Sequence, residues 1–415
     1  MNAEDDSSIA PLAGLRVLEF SHTIMGPCAG LLLADLGADV IKIEPAPNGD
    51  KTRYLPGFAA GFFATFNRNK RSIALNLKTD EGQAVVHELI KNADVVLDNY
   101  GPGTMEKLGC DWPMLKAINS RLIYLSLKGF LKGPWQDRPA LDEVVQFRSG
   151  LAYMTGPPGQ PLRAGASIVD ILGAVFGVTG VLAALRERDR TGQGQRVGSS
   201  LFESAAFMMA SHIAGGAAMG EEVPPMTARK GAWGVYDVFK SQDNEPLFIG
   251  VTSDSQWERF CDVFELQVMK DDVRLASNPE RTLARDWLLP QLSEHFSTMT
   301  LEVMVERCER AGVSWSPVGR PEELVSNEQL QGQGGLLNVV LSGVQSAASV
   351  GDEPSVNNVK KVQLPGLPLE FGDERRRTKL RLQPPQLGEH TQEILLENGF
   401  SDVRIDRLIA SCVVA

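Results

Sequence analysis

Residues 14–45 read GLRVLEFSHTIMGPCAGLLLADLGADVIKIEP. GLRVLEF is a short apolar run of strand length. GPCAGLLLADLGA is a small-residue helix behind a loop, and DVIKIE is a second strand. Strand, helix and strand at this spacing form a βαβ unit, which requires a parallel sheet covered by helices. A dinucleotide fold also needs G-x-G-x-x-G at the first turn, so that backbone can approach a pyrophosphate. Here Gly26 and Gly30 flank Pro27 at the wrong spacing, and Glu44, an acid ending a strand, is expected to be solvated.

The pattern continues outward from this unit. TDEGQAVVHELIKNA (79–93) reads as a helix with Thr79 as N-cap, and DVVLDNY and LIYLSLKGF read as strands. A long apolar helix over 168–188 stops at RERDRTGQGQ, and QRVGSSLFESAAFMM starts another strand and helix. Around 221–231 the texture changes to a linker. VYDVFKSQDNEPLFIGV then predicts a hairpin turning at Gln242-Asp243-Asn244, followed by helices near 255–265, 281–297 and 300–311. The reading is an α/β protein: a large Rossmann-like parallel-sheet domain (1–220), a small α+β domain (225–330), and a return segment (331–415), irregular over 331–365, that packs on the large domain.

The chain has 415 residues, 43% hydrophobic and 22% charged, with a formal net charge of −11. That balance disfavours nucleic acid as a partner, although a local basic pocket is compatible with a phosphorylated ligand. Five cysteines without a CxxC pair and five histidines without HExxH spacing predict no metal and reduced thiols, as in the cytoplasm. The acidic start, MNAEDDSSIAP, does not resemble a signal peptide. The apolar run 171–185 is shorter than a membrane span and reads as a buried helix, so no membrane partner is expected.

Asp170 is the one ionisable side chain between Ile168 and Leu185. Two readings stand. Ser167-x-x-Asp170 ahead of an apolar run is a capping box. Alternatively, the helix N-terminus keeps a partly buried carboxylate ionised and usable as a nucleophile towards an acyl group, with Gly165, Gly173 and Gly177 leaving room for a ligand. Spacing does not decide between them.

The chain resembles the class III CoA-transferases, the formyl-CoA:oxalate and carnitine CoA-transferase group that includes α-methylacyl-CoA racemase. The likeness runs from about residue 12 to 409. It rests on LAGLRVLEFSHTIMGPCAG, LGADVIKIEP, NRNKRSIALNLKTDEG, ADVVLDNYGPGTMEKLG, INSRLIYLSLKGF, ALDEVVQFRSGLAYMTG, ASIVDILGAVFGVTGVLAAL and PPQLGEHTQEIL, in the family's order. The resemblance implies that Asp170 is a nucleophile forming an aspartyl-CoA thioester, with Asp142 beside it orienting Asp170 or substrate; Asp142 also reads as a structural acid bonded to backbone. It implies CoA contacts at Ile24, Met25, Leu75, Lys78, Asn99, Tyr100, Gly101 and Lys107. Lys107 stands where the family usually has Arg, and Pro45 where some members have a phosphate-binding Arg, for which Lys42, Arg53 or the RNKR run (68–71) would compensate. RNKR also reads as a solvated surface turn.

ALDEVVQ has Leu141-Asp142 where the racemase branch has a His-Asp pair, so two-base proton transfer lacks a partner. RPALDEVVQ…GLAYMTG resembles the dicarboxylate-handling members, mesaconyl-CoA C1–C4 transferase among them. A distal carboxylate needs a cation, for which Arg148, Arg163 and Arg229 are candidates, with His22 as a polar alternative. KGAWG (230–234) is a candidate lid, by analogy with a glycine loop in the family, and also reads as a plain interdomain turn. The resemblance further implies acyl-CoA and carboxylic acids as substrates, with CoA carried as acyl-CoA, and an interlocked homodimer. The rival readings are a 2-methylacyl-CoA racemase or isomerase and a non-catalytic acyl-CoA-binding protein.

Overall fold

Five strands that the sequence predicts, with a sixth at Lys70–Leu75 that it does not, assemble in one order. β1 (Arg16–Phe20), β2 (Asp39–Pro45), β3 (Lys70–Leu75), β4 (Val95–Asp98), β5 (Ile123–Lys128) and β6 (Arg196–Ser200) form an all-parallel sheet in the order β3-β2-β1-β4-β5-β6. The computed structural model describes residues 9–229, 231–341 and 360–415. The start of the acidic N-terminus, Lys230 of the lid candidate and 342–359 of the return segment lie outside these.

The chain divides into two compact units: the described residues of Met1–Val223 with Val325–Ala415, and Pro224–Leu324. In the larger unit, helices on both faces bury the apolar strands. One layer packs Leu18, Ile41, Ile73 and Val96 against Val85, Val86 and Leu89 of helix Asp80–Ile90. That helix starts as predicted, with Thr79 Oγ1 accepting from the Gly82 N–H at 3.1 Å. The other layer packs Val17, Val40, Leu97 and Leu125 against helices Met25–Asp35 and Ile168–Thr191. The latter helix is long and apolar enough to cross a membrane by length and composition alone. Val169, Ala174, Val178 and Val181 sit in the core, but Ile171, Val175 and Leu182 are exposed, so the helix is buried on one side only.

The return chain departs from the irregular reading. Leu336–Leu341 (β10) pairs antiparallel with Lys360–Pro365 (β11). Further on, His390 N–H bonds Ser72 O at 3.0 Å and Asn76 N–H bonds Val413 O at 2.8 Å, which ties the C-terminus to β3. The smaller unit carries an antiparallel sheet, β7 (Val235–Lys240), β8 (Pro246–Val251) and β9 (Ser314–Pro317). Its core is built on Phe239, Trp257, Phe260, Phe264 and Phe296.

Beneath the first loop lies a buried ionic lattice that local sequence pattern does not predict. Glu19, Lys42, Glu44 and Lys70 are fully buried. Lys42 Nζ stands 3.2 Å from Glu19 and 3.1 Å from Asp50, and Lys70 Nζ 2.7 Å from Glu19. Arg53 grips Glu44 through both carboxylate oxygens, at 2.8 and 2.6 Å, and Ser72 Oγ adds a bond at 2.7 Å. Glu44 is therefore not solvated. Burial alone would discharge Lys42, but Glu19, Asp50 and Glu44 outweigh it and raise its pKa. Lys70, with less carboxylate around it, is drawn down by burial to about 8. Removing one partner of such a set strands a buried charge.

The lattice also explains the glycines of SHTIMGPCAG. A Cβ on Gly30 would fall 1.8 Å from Glu19 Oε2 and 3.0 Å from Lys70 Nζ, and one on Gly26 2.5 Å from Ser21 Cβ. These glycines admit buried ions and neighbouring side chains, in place of a pyrophosphate. Replacing Gly30 with Ala should lower stability by about 1–3 kcal/mol through overpacking, read as a drop in the thermal midpoint. A midpoint equal to wild type would contradict this packing.

Candidate functional site

In a sheet of this order, ligands bind beyond the carboxyl ends of the strands where the strand order reverses, here between β1 and β4. The loops following those two strands are stitched together at that point. Asn99 Oδ1 accepts from the His22 N–H at 3.0 Å, and Asn99 Nδ2 donates to His22 O at 2.9 Å. The His22 and Tyr100 rings stack with centroids 5.7 Å apart. Ile24 and Met25, both buried, follow directly and open helix Met25–Asp35. Met25 Cε lies 2.5 Å from where a Cβ on Gly173 would stand, so Met25 packs on the helix of Asp170, one turn further along.

Asp170 lies in the first turn of helix Ile168–Thr191, but neither it nor Ser167 caps that helix. Asp142 does. Its Oδ2 accepts from the Val169 N–H at 2.8 Å and the Asp170 N–H at 3.0 Å. Its other oxygen accepts from Gln146 Nε2, and Gln146 Oε1 accepts from the Ala164 N–H at 2.9 Å. The capping-box reading is thereby corrected: an acid from another helix, Asp142–Arg148, satisfies the free N–H groups. Among the described residues, no donor bonds the Asp170 side chain, which is half-buried.

The expected electrostatics are corrected as well. A helix N-terminus by itself would keep Asp170 ionised, yet burial first, then the charges of Asp142 and Glu143, push its carboxyl up to about 7. The terminal N–H groups that would have favoured the Asp170 anion are spent on a neighbouring anion.

The other predicted residues divide. Lys78 and Lys107 are exposed and form no ion pair among the described residues, so both are available to phosphates. Gly101 opens onto space, with nothing within 4 Å of a built Cβ. Asn99 is engaged with His22, and burial raises the Tyr100 phenol to about 12. Leu75 is fully buried among core side chains, with its carbonyl bonded to Ala46 N–H at 3.0 Å, so its side chain cannot face a nucleotide. The proposed substitutes for a phosphate-binding Arg are also committed elsewhere. Lys42 and Arg53 belong to the lattice, Arg68 pairs with Asp35 at 2.7 Å, and Arg71 pairs with Asp39, Glu393 and Glu397 at 2.7–2.9 Å. RNKR leads into and starts the buried strand β3, and is neither a phosphate cradle nor a solvated turn.

Of the cations considered for a distal carboxylate, Arg163 pairs with Glu143 at 3.3 Å, and Arg148 lies 4.7 Å over the Trp135 ring. Arg229 belongs to the smaller unit. In the lid candidate, Ala232 O accepts from Asn278 Nδ2 at 2.9 Å and Gly234 N–H donates to Asn278 Oδ1 at 3.1 Å, which pins this part to its own unit. Gly173 and Gly177 serve packing, since a Cβ would meet Met25 and, at 2.8 Å, Leu127; Gly165 alone borders open space. A cleft of about 810 Å³ runs from Gly101 past Lys128 to Arg196, and neither Asp170 nor Met25 lines it. Among the described residues, no group of three His, Cys, Asp or Glu side chains is placed to hold a metal.

The profile of CoA-transferase family III matches residues 12–391. A succinate–glutarate CoA-transferase of Agrobacterium fabrum is 32% identical over 405 residues, covering 93% of this chain and 95% of that protein. An acetyl-CoA:oxalate CoA-transferase of Acetobacter aceti is 36% identical over 314 residues, covering 74% and 80%. The crystal structure of a CaiB/BaiF family protein from Brucella suis superposes with a TM-score of 0.79 at 29% identity, covering 94% of this chain and 99% of that one. A doubly wound sheet, an acid-led helix beside its switch point and this match along nearly the whole sequence agree: the chain belongs to CoA-transferase family III and is an enzyme that moves CoA between carboxylic acids.

Proposed function

We propose that Asp170 is the nucleophile of a transfer between dicarboxylic acids of the C4–C5 class, such as succinyl-CoA or mesaconyl-CoA. The observation that carries this reading is the free Asp170 carboxylate, whose capping duty has passed to Asp142. An Asp170 oxygen attacks the thioester carbonyl of the donor acyl-CoA, and the C–S bond breaks to release CoA thiolate. The resulting mixed anhydride is attacked by the thiolate at the aspartyl carbonyl. This gives an aspartyl-CoA thioester and the free donor acid, which leaves with one oxygen from Asp170. The acceptor carboxylate then attacks the aspartyl thioester, and the returning thiolate attacks the acceptor's carbonyl and restores Asp170. One thioester replaces another, so no ATP is consumed.

Asp142 is a positioning residue in this scheme, since its oxygens are taken up by Gln146 and two backbone N–H groups. Lys78 and Lys107 supply positive charge for the CoA phosphates. Arg163, held by Glu143 close to the start of the helix, is the cation best placed for a distal carboxylate. Leu141 has no titratable group to exchange a proton with an α-carbon, which counts against racemisation. The exposed Ile171, Val175, Leu182, Phe207 and Ile213 support a homodimer that covers this face.

Three outcomes test the reading. Incubation with succinyl-CoA followed by hydroxylamine should modify the peptide containing Asp170, and Asp170→Asn should abolish both modification and transfer; transfer at the wild-type rate in that variant would refute the nucleophile. Because the carboxyl must be ionised to attack, kcat/KM should fall about tenfold per pH unit below about 7. Glu143→Gln removes a negative neighbour, so this limb should move to lower pH, and a move to higher pH would contradict the electrostatics. Asp142→Ala should cost about 0.5–2 kcal/mol of stability through the lost cap, and Asp142→Asn, which keeps an acceptor oxygen, should recover part of it. Equal midpoints for Ala and wild type would show that the cap is idle.

A further inference from the structure

Thr23 has φ +65°, the one β-branched residue at positive φ among the described residues. A β-branched side chain is a poor occupant of that region, and such strain persists only where the surroundings over-determine it. The surroundings here are specific. Thr23 N–H donates to Thr52 Oγ1 at 2.9 Å. The Thr52 hydroxyl donates in turn to Asp50 Oδ1 at 2.7 Å, and the Thr52 N–H donates to the same oxygen at 2.9 Å. Asp50 is anchored by the fully buried Lys42, 3.1 Å away. Lys42 also reaches the loop directly, donating to Ser21 O at 3.0 Å. Thr52 and Asp50 are themselves buried.

The loop so held is the one that delivers Ile24 and Met25 to the sheet's switch point and sets Met25 against the helix of Asp170. We infer that the relay Lys42–Asp50–Thr52 is a positioning device that holds Thr23 in its strained conformation and so presents Ile24 and Met25 to the acyl-CoA. The inference rests on the reading of Asp170 as the nucleophile. Thr52 works as a polarised hydroxyl: its proton is committed to a carboxylate, which leaves its oxygen to accept the Thr23 N–H. An isosteric methyl in place of that hydroxyl removes both the acceptor for Thr23 and the donor to Asp50, while the Thr52 N–H still bonds Asp50.

The test is Thr52→Val, with Thr52→Ser and Thr23→Gly as its controls, assayed with succinyl-CoA as donor and glutarate as acceptor. Thr52→Val should raise the KM for acyl-CoA about tenfold, the size of one lost hydrogen bond, and leave the KM for the acceptor acid unchanged. Thr52→Ser should restore the wild-type value. Thr23→Gly placed in the Thr52→Val background should also recover it, because glycine adopts positive φ without strain. An unchanged KM in Thr52→Val overturns the inference, as does a loss that neither a serine hydroxyl at this position nor the second-site glycine repairs, or one that falls equally on both substrates. If Thr52→Val does not fold, folding of the double variant supports the relay and its failure to fold overturns it. Hydroxylamine trapping on the wild-type enzyme is run alongside. A wild-type enzyme that yields no Asp170 adduct refutes the nucleophile, whereas an intact adduct with an inert Thr52→Val refutes only the relay.

Discussion

Two backbone N–H groups, those of Val169 and Asp170, point into a space that one carboxylate can fill, and Asp142 fills it. The rest of the site depends on that choice. Because Asp142 satisfies the helix start, the Asp170 side chain is released from a task its position would otherwise assign to it. Because burial is joined by the charge of this neighbouring anion, Asp170 is raised to about 7 and is readily protonated. A carboxylate that accepts no hydrogen bond is a stronger nucleophile than one bound to main-chain amides, since attack need not first break those bonds. On the proposed reading the same arrangement serves stability and chemistry, and the sequence distance between its two acids conceals it.

The second constraint is the buried lattice under the first loop. Burying Glu19, Lys42, Glu44 and Lys70 without water costs several kcal/mol per ion unless pairing compensates. The gain is geometric. Lys42 joins β2 to Ser21 and Asp50, Lys70 joins β3 to Glu19 and Pro27 O, and Arg53 joins Glu44 to Pro385 O. The loops that border the switch point are thus held by buried charge pairs. Lys78 and Lys107, the lysines that the resemblance assigns to CoA, lie outside the lattice and are exposed.

The architecture was legible in the sequence where periodicity was strong. The βαβ start, the Thr79 cap, the β7–β8 hairpin and the long helix of Asp170 all follow from local pattern. What local pattern could not show is pairing across distance. Ser167-x-x-Asp170 has the spacing of a capping box, but an acid 28 residues upstream of Asp170 outcompetes it for the same donors. RNKR has the composition of a surface turn, but each of its charges meets a partner: Arg68 meets Asp35, Lys70 meets Glu19, and Arg71 meets Asp39. Leu75 lies in a family motif, yet its side chain faces the core. The one signal that pointed to the lattice was the repeated placement of acids and bases within otherwise apolar strands, as in VLEF, VIKIE and KRSIAL. A strand buried on both faces can hold these only in pairs.

The central claim is that Asp170 exchanges an oxygen with the acids it serves. Turnover with an acceptor acid labelled with heavy oxygen in its carboxylates tests this most directly, because the acceptor's bridging oxygen remains on the aspartate when CoA departs with the acyl group. The account predicts that the peptide spanning Asp170 gains one heavy oxygen in a single turnover and up to two over many, and that peptides containing Asp142 or Glu143 gain none. Acyl exchange at the normal rate with no label on Asp170 would contradict it.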